Sequence, residues 1–172
     1  MQYLYTKHCK SLEKAFLVDI NEHQRIILKV CSMYCDDRQD SEDLFQEIVL
    51  QLWKSYSGFK GESKVSTWMY RVALNTAITR LRKAKRRPDN ERIIHDNVNV
   101  ADGESDRLDL QYDAELQLAI NTLNKFDRAL MMLYLDEKSY GEISEIMSIT
   151  ESNVGVKINR IKSKLKSILN PS

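Results

Sequence analysis

The chain has 172 residues, which permits one ordinary domain or two small ones. Glycine and proline number only 5 and 2, so the composition favours helix over strand, and the charged fraction of 30% is normal for a globular protein. The formal net charge of +1 excludes a globally basic protein, so any nucleic-acid surface has to come from the distribution of charge along the chain.

Membrane insertion and a disulfide framework are not expected. No stretch approaches the roughly 20 apolar residues of a membrane span, and residues 1–10 lack an apolar signal core, so we expect a cytoplasmic protein. The three cysteines, Cys9, Cys31 and Cys35, are an odd number. His8 and His23 lie near them, but no second Cys or His pair follows at zinc-ligand spacing. We therefore expect reduced, partly buried thiols, with no metal and no cofactor.

The chain divides into two helical blocks joined by a polar bridge. The first block covers about 14–87 and the second about 111–170, and neither contains strand-like alternation of useful length. The bridge, 88–110, opens with Pro88, is acidic and polar, and lacks sustained apolar periodicity, which predicts a linker of low order. The predicted fold class is therefore all-α, with two small helical domains.

The first block contains a helix over 20–35 and a second helix that begins near Asp40 or Ser41, either of which suits an N-cap. One wide face of the second helix is apolar and is predicted to be core. This face holds Leu44, Phe45, Ile48, Val49, Leu52 and Trp53. The other face displays Asp43, Gln46 and Glu47. After a loop with two glycines, a third helix is predicted over 67–85.

The third helix has two faces of different chemistry. Its apolar stripe predicts the core side, with Tyr70, Ala73, Leu74, Ala77, Ile78 and Leu81. The opposite face carries Trp68, Arg71, Asn75, Thr79 and Arg82. The helix then ends in RLRKAKRR, a basic run that by itself is equally typical of a solvated helix end. An exposed aromatic ring and an amide upstream favour binding of unpaired nucleic acid, by stacking and by hydrogen bonds to a base edge.

The second block contains a helix-turn-helix pattern. Residues 139–147 form a short helix with Ser139 as N-cap, and Ile143, Ile146 and Met147 are its buried positions. Residues 148–150 form the turn, in which Ser148 occupies a left-handed position that often holds glycine. The second helix, 151–169, has a core stripe of Val154, Ile158, Ile161, Leu165 and Ile168.

The opposite side of that last helix suits the major groove of duplex DNA, where Asn reads adenine and Arg reads guanine, while lysines contact phosphates. The residues that we predict to contact DNA here are Ser152, Gly155, Val156, Lys157, Asn159, Arg160 and Lys164. The competing interpretation is an amphipathic helical hairpin with a lysine-rich wet face, which the cap and turn pattern disfavours.

Together these segments resemble the sigma-70 family of bacterial RNA polymerase factors, in particular its extracytoplasmic-function (ECF) subfamily. Residues 40–53, DSEDLFQEIVLQLW, and residues 59–83, FKGESKVSTWMYRVALNTAITRLRK, look like region 2 of that family. Residues 123–165 look like region 4, although the common Leu-Pro opening is Leu123-Asn124 here. The order and spacing of the segments are more specific than any one of them.

The resemblance implies roles for individual residues. Asp43, Gln46 and Glu47 match the face that docks on the clamp of the largest subunit of core RNA polymerase. Trp68, Tyr70 and Asn75 match positions that wedge into and read the non-template strand of the minus-10 promoter element, and Arg71, Thr79 and Arg82 share their helix. The loop 59–66 matches the segment that cups a flipped base. The exposed face of 151–169 matches the side that meets the minus-35 element.

The expected function is thus promoter recognition, DNA melting and transcription initiation together with core RNA polymerase, without catalysis by this chain. The family resemblance also implies an anti-sigma partner. One alternative is a two-domain helix-turn-helix regulator that acts on duplex DNA without polymerase; it leaves Asp43, Gln46, Glu47 and Trp68 without a role. A second alternative is a helical protein-interaction adaptor, which predicts no salt-dependent DNA binding.

Overall fold

The computed structural model describes the backbone of residues 2–86 and 114–170, and the side chains of residues 11–84 and 115–170. Within these ranges all regular secondary structure is α-helical, which confirms the predicted fold class. The first three helices are α1 (Gln2–Tyr34), α2 (Arg38–Tyr56) and α3 (Val65–Arg86). The other four are α4 (Ala114–Asn121), α5 (Lys125–Leu135), α6 (Tyr140–Met147) and α7 (Glu151–Leu169). The predicted linker, 88–110, lies outside the described residues.

Helices α1, α2 and α3 pack against one another around a shared apolar core. Fully buried side chains from all three fill it: Ile27 and Val30, then Leu44, Ile48 and Leu52, then Met69, Ala73 and Leu74. The predicted stripe of α2 is confirmed for its three buried leucine and isoleucine positions. The first helix is much longer than predicted, because apolar side chains before residue 20 also find partners: Phe16 packs edge-on against Tyr56, with ring centroids 5.1 Å apart.

Helix α2 begins one turn earlier than the sequence predicted. The N-cap is Asp37, whose carboxylate accepts a hydrogen bond from the backbone amide of Asp40 at 2.8 Å. Asp40 lies inside the first turn, where the partial positive charge of the helix N-terminus favours a carboxylate. The prediction of Asp40 or Ser41 as the cap was therefore wrong, since three capping residues follow one another closely and the sequence does not rank them.

Helices α4 to α7 form the second group, in which α7 packs against α4, α5 and α6. Asn124 caps α5: its side-chain oxygen accepts a hydrogen bond from the backbone amide of Asp127 at 2.9 Å. Asn124 stands where the region 4 segments that this chain resembles commonly have proline, so here a side-chain hydrogen bond starts the helix. Ser139 caps α6 as predicted, and Glu142 completes a capping box by accepting from the Ser139 amide at 2.9 Å.

The helix-turn-helix has the predicted turn. Ser148 adopts the left-handed conformation, with φ of 54°, at the C-cap of α6, and Thr150 then caps α7. Val154, Ile158, Ile161 and Leu165 of α7 are buried as predicted, but Ile168 is 39% exposed. Ile168 was wrongly assigned to the core because, at the last turn of α7, the neighbouring Leu169 is the residue that packs against the core, while Ile168 lies beside α4 and stays partly open to solvent.

Neither a membrane helix nor a metal cluster occurs among the described residues: no helix there is both long and apolar enough to cross a bilayer, and no group of three or more Cys, His, Asp or Glu side chains could hold a metal ion. Cys31 is buried and Cys35 is half-buried, as expected. Burial raises the pKa of the Cys31 thiol to about 12 and that of Cys35 to about 11. Both thiols are therefore protonated at neutral pH, which disfavours metal binding and oxidation. The side chain of Cys9 lies outside the described residues.

Candidate functional site

The outer face of α2 is the first candidate surface. Asp43 and Gln46 are exposed on it, as predicted. Glu47 is half-exposed and lies 3.8 Å from Nη1 of Arg80, while Asp40 accepts a hydrogen bond from Nη2 of the same arginine at 3.1 Å. Arg80 therefore ties α3 to α2 beside this face, and Glu47 has a partner within its own domain.

An apolar groove adjoins these polar residues and was not predicted from the sequence. It has a volume of about 390 Å³ and is lined by Phe16, Phe45, Gln46, Val49, Leu50 and Trp53. Leu50 is 49% exposed and Trp53 is 37% exposed. The assignment of Trp53 to the core was wrong, because α1 packs against only part of the apolar stripe of α2. The signal was present in the sequence: this stripe is wider than one neighbouring helix can cover.

The exposed face of α3 is the second candidate surface. Asn75, Thr79 and Arg82 are exposed along it, one helical turn apart, as the sequence predicted. Between them in sequence, Ala77 and the half-buried Ile78 face the core. An amide, a hydroxyl and a guanidinium thus form a polar stripe that offers hydrogen bonds to a base edge and a positive charge to a phosphate.

Trp68 is the main correction to the predicted site. It was placed on the exposed face of the helix, but it is only 5% exposed. Its ring packs against Phe59 at a centroid separation of 5.0 Å and lies 6.1 Å from the Tyr56 ring. The loop before α3 folds back over the first turn of the helix and covers the indole. Trp68 therefore supports that loop from below and does not offer a free stacking face here.

Tyr70 and Arg71 lie at a contact between the two helical groups. Tyr70 is 3% exposed, consistent with its predicted place on the core stripe, and its hydroxyl donates to Asp136 at 2.5 Å. The ammonium group of Lys29 lies 2.5 Å from the other carboxylate oxygen of Asp136. Arg71 is half-exposed and reaches Glu145 on α6 at 3.2 Å. Two of the six predicted minus-10 residues are thus engaged by the second group.

A further ion pair joins α6 to the loop before α3. Lys64 lies 3.0 Å from Glu142, and Lys138 donates to the Ser66 hydroxyl at 3.3 Å. The Ser139 amide, and then Lys64, hold the pKa of the Glu142 carboxyl at about 2, far below its ordinary 4.5. Glu142 is therefore ionised throughout the physiological range. These contacts cover part of the loop 59–66 that was predicted to receive a base.

The third candidate surface is the outer side of α7. Its exposed members are Ser152, Val156, Asn159, Arg160 and Lys164, all predicted. Val156 is 58% exposed, an apolar side chain suited to contact with a thymine methyl group. The face therefore combines an amide, a guanidinium, a lysine and a methyl-bearing side chain on the second helix of a helix-turn-helix.

Two of the residues predicted for this surface lie at its edge. Lys157 is half-buried, with its ammonium group 5.1 Å from the centre of the Phe126 ring. A Cβ added at Gly155 would lie 3.4 Å from the Tyr140 ring of α6. Both positions thus face neighbouring helices α5 and α6, which the helical periodicity of α7 alone does not reveal.

Comparison with protein-family models gives two matches in chain order. Residues 20–87 match Sigma-70 region 2, and residues 113–165 match Sigma-70, region 4. The first match contains the α2 groove and the polar stripe of α3, and the second contains the helix-turn-helix. Together the two matches cover more than two thirds of the chain.

Two full-length relatives agree with these matches. The chain is 28% identical over 170 residues to the ECF RNA polymerase sigma-E factor of Haemophilus influenzae, covering 92% of this chain and 89% of that protein. It is also 28% identical over 186 aligned residues to the ECF RNA polymerase sigma factor SigW of Bacillus subtilis, covering 98% of both chains.

Solved structures share the fold. The chain resembles the sigma factor RpoE from Bartonella quintana, solved in complex with the anti-sigma factor NepR, with a TM-score of 0.69 and 19% identity over 93% of this chain and 97% of that one. It also resembles CnrH, solved in complex with the cytosolic domain of CnrY, with a TM-score of 0.61 and 15% identity over 91% of this chain and 88% of that one.

Proposed function

The chain belongs to the sigma-70 family, in its ECF group, and directs promoter-specific initiation by RNA polymerase; from this membership we propose how its residues divide that work. Residues 14–87 dock on core polymerase and read the minus-10 element, residues 88–110 link the two units, and residues 111–170 read the minus-35 element. The observation that carries the proposal is the polar stripe of Asn75, Thr79 and Arg82, exposed on a helix whose other side is core.

Polymerase docking uses the outer face of α2. Asp43, Gln46 and Glu47 supply polar contacts, and the apolar groove beside them, with Leu50 and Trp53 on its rim, supplies the area that gives affinity. Protein interfaces place their energetically important aromatic and aliphatic groups in such a centre, with polar residues around it. The partner that suits this groove is an element of the clamp of the largest polymerase subunit.

Minus-10 recognition uses the stripe on α3. Asn75 reads the edge of an unpaired base, while Arg82 and the following basic residues hold the backbone of the strand. Arg71 and Tyr70 join this surface once the contacts to the second group are released. Holding the separated strand better than the duplex shifts the equilibrium towards the open promoter.

Minus-35 recognition uses α7 in the major groove of duplex DNA. Asn159 and Arg160 reach base edges, Val156 contacts an apolar base edge, and Ser152 and Lys164 contact the phosphates. Lys157 and Gly155 act at the margin, because they face Phe126 and Tyr140. We expect Asn159 and Arg160 to set most of the base preference.

No catalytic step is assigned to this chain; the polymerase supplies the chemistry, and the protein works where the polymerase and DNA are, in the cytoplasm. An anti-sigma protein is a further expected partner, since both structural neighbours were solved with a second protein and that of RpoE is an anti-sigma factor. The alternative of a regulator without polymerase is not favoured, because it gives the α2 groove no role.

The test is transcription by purified core RNA polymerase from a library of promoter templates, with and without this protein. We expect transcripts from a defined subset of templates only when the protein is present, and co-purification of the protein with core polymerase. A protein that bound duplex DNA but neither co-purified with the polymerase nor redirected it would be a regulator of the alternative kind.

A further inference from the structure

Glu151 is the only acidic residue of α7, and it stands at the first position of this helix, directly after the N-cap Thr150. Five lysine and arginine residues follow it in the same helix. We propose that the Glu151 carboxylate reads a cytosine in the minus-35 duplex by accepting a hydrogen bond from the amino group of that base. The inference rests on the proposed function of α7 and adds one base position to it.

The side chain of Glu151 lies across the N-terminal end of the neighbouring helix α6. A Cβ added at Gly141, the second residue of α6, would lie 3.3 Å from Oε1 of Glu151 and 3.8 Å from its Cδ. The carboxylate therefore occupies the space that glycine leaves open, between the starts of the two helices of the helix-turn-helix. Glu151 is exposed there, so DNA can reach its oxygens.

Helix capping does not account for this carboxylate. The side-chain oxygen of Thr150 caps α7 by accepting from the Asn153 amide at 3.3 Å. Ser139 and Glu142 form the capping box of α6. Both helix starts thus have their caps without Glu151. Its carboxylate has no hydrogen bond or ion pair with any residue that the structure describes.

The position of Glu151 suits a base-reading residue. In a helix-turn-helix, the N-terminal residues of the second helix contact base edges in the major groove. Glu151 lies about 12 Å before Asn159 along the axis of α7, on the flank nearest to α6. Gly155, midway between them, has no side chain to offer. Glu151 therefore reaches a different base from the one that Asn159 reads.

The chemistry of the groove selects the base. Duplex DNA carries one negative charge per roughly 1.7 Å of its axis, so a carboxylate without a donor is repelled there. Cytosine presents an amino group that glutamate accepts, whereas guanine presents two acceptors and thymine one. Adenine places the acceptor N7 beside its amino group, which repels the second carboxylate oxygen. Glu151 therefore favours cytosine and disfavours guanine.

The experiment is a selection of templates by the holoenzyme. A template that the wild-type protein transcribes keeps its sequence from the minus-10 element downstream, while about ten base pairs around the minus-35 element, one turn of duplex, are randomised. Templates bound by core polymerase with the full-length protein are then sequenced. We expect one position at which cytosine is preferred by at least about fivefold, as for one good base contact.

Two substitutions of Glu151 should change the preference at that position alone. With Glu151→Gln the preferred base should change from cytosine to adenine, since glutamine pairs with N6 and N7 of adenine. Glu151→Ala should lose the preference and should bind templates with guanine there about threefold more tightly than wild type, because the repulsion is removed.

Glu115→Gln is the matched control. Glu115 is likewise an exposed carboxylate in the first turn of a helix, α4, but it lines a groove with Ile168 at the opposite end of α7. Its base preferences and affinity should equal those of the wild type within about twofold, as for an ordinary surface substitution.

Gly141→Ala tests where the carboxylate lies. The added methyl group would come within 3.3 Å of Oε1 and displaces the Glu151 side chain from α6. Alanine also favours a helix over glycine, so the melting temperature should rise while the cytosine preference falls about threefold. A merely structural role of Glu151 predicts the rise in melting temperature without the change in preference, and that result would count against the proposal.

An unchanged preference with Glu151→Gln, or an equal change of affinity for all sequences, would overturn the proposal. Glu151 would then only complement the partial positive charge at the start of α7. A wild-type motif without a preferred cytosine has the same consequence. If the wild-type protein directs no transcription with core polymerase, or selects no upstream motif, the proposed function itself fails. If it selects a motif that Glu151→Gln leaves unchanged, only the reading by Glu151 is wrong.

Discussion

The ring of Trp68 lies against the ring of Phe59, with centroids 5.0 Å apart and the planes tilted by 32°. This contact fastens the loop before α3 onto the first turn of that helix. It makes the tryptophan a structural residue, although the chemistry of its neighbours in sequence had indicated a residue exposed for base stacking.

Replacement of Trp68 by alanine should therefore unfold the first domain before it affects DNA binding. Truncation of a buried tryptophan costs about 3–5 kcal/mol of unfolding free energy. Chemical denaturation followed by circular dichroism measures this loss. Trp53→Ala is the comparison: that tryptophan is 37% exposed and packs edge-on against Phe16, so the expected loss is smaller, about 2 kcal/mol. A stability loss at Trp68 no larger than that of Trp53→Ala would restore the stacking role.

Asn75→Ala should leave stability nearly unchanged and should weaken promoter opening. Asn75 is exposed, so its removal is expected to change the unfolding free energy by no more than about 0.5 kcal/mol. Loss of hydrogen bonds to one base costs about 1–3 kcal/mol, which predicts roughly 5- to 150-fold weaker open-complex formation. Permanganate footprinting of the melted promoter measures the effect, with polymerase affinity as the reference. Equal losses of affinity and opening would count against base reading.

Polar substitution on the rim of the groove should weaken polymerase binding. Leu50→Gln removes an apolar group that is 49% exposed in the free protein, so stability should hardly change. We expect at least about tenfold lower affinity for core polymerase, a loss of about 1.4 kcal/mol. Val18→Gln, at a residue that is 62% exposed and does not line the groove, is the matched control. Fluorescence anisotropy with labelled protein gives both affinities, and similar values for the two variants would remove the groove from the docking site.

Ser148→Gly should stabilise the protein. Ser148 has a φ of 54°, and a left-handed backbone costs a residue with a Cβ roughly 1 kcal/mol that glycine avoids. The melting temperature is expected to rise by about 2–4 °C. Ser163→Gly, inside α7, is the control and should lower it, since glycine weakens a helix interior by roughly 0.5–1 kcal/mol. A fall in both variants would mean that the left-handed turn is not formed.

Acidification should lower the stability of the fold, because it protonates Glu142. Its pKa is lowered in the folded chain to about 2 from 4.5, so its contribution to stability is present above about pH 4.5 and is lost as the pH falls towards 2. Glu142→Gln cannot titrate there. Between about pH 6 and pH 3 the melting temperature of wild type should therefore fall about 2–4 °C further than that of the variant. If the melting temperatures of wild type and Glu142→Gln fell equally across this pH range, the pKa of Glu142 would not be lowered by its contacts in the folded protein.

Local features were predicted well from the sequence, because they depend on residues a few positions apart. The cap at Ser139, the turn at Ser148 and the extent of α7 follow from hydrogen bonds and φ values within one or two turns of chain. The exposed face of α7 follows from a period of 3.6 residues. The start of α2 was missed by a turn, since Asp37, Asp40 and Ser41 are all competent caps and packing of the whole helix selects among them.

The two tryptophans occupy the opposite environments from those that helical periodicity predicts. Trp53 was assigned to the core and is on the rim of a groove, whereas Trp68 was assigned to the surface and is buried. A helical period gives the direction in which each side chain points, but not which segment lies opposite. Trp68 is buried because the loop before α3 folds back over that helix, and Trp53 is partly exposed because α1 covers only part of α2. Both arrangements depend on contacts between residues distant in the chain.

The amino-acid order alone determined an all-helical chain with a helix-turn-helix, and it predicted which exposed side chains would meet DNA, because cap chemistry and apolar periodicity are local properties. Only the tertiary structure decided that α6 lies on α3, that Asp136 joins Lys29 and Tyr70, and that some predicted contact residues are already occupied. These pairings span 66 and 107 positions of sequence, and no local pattern encodes contacts at that range.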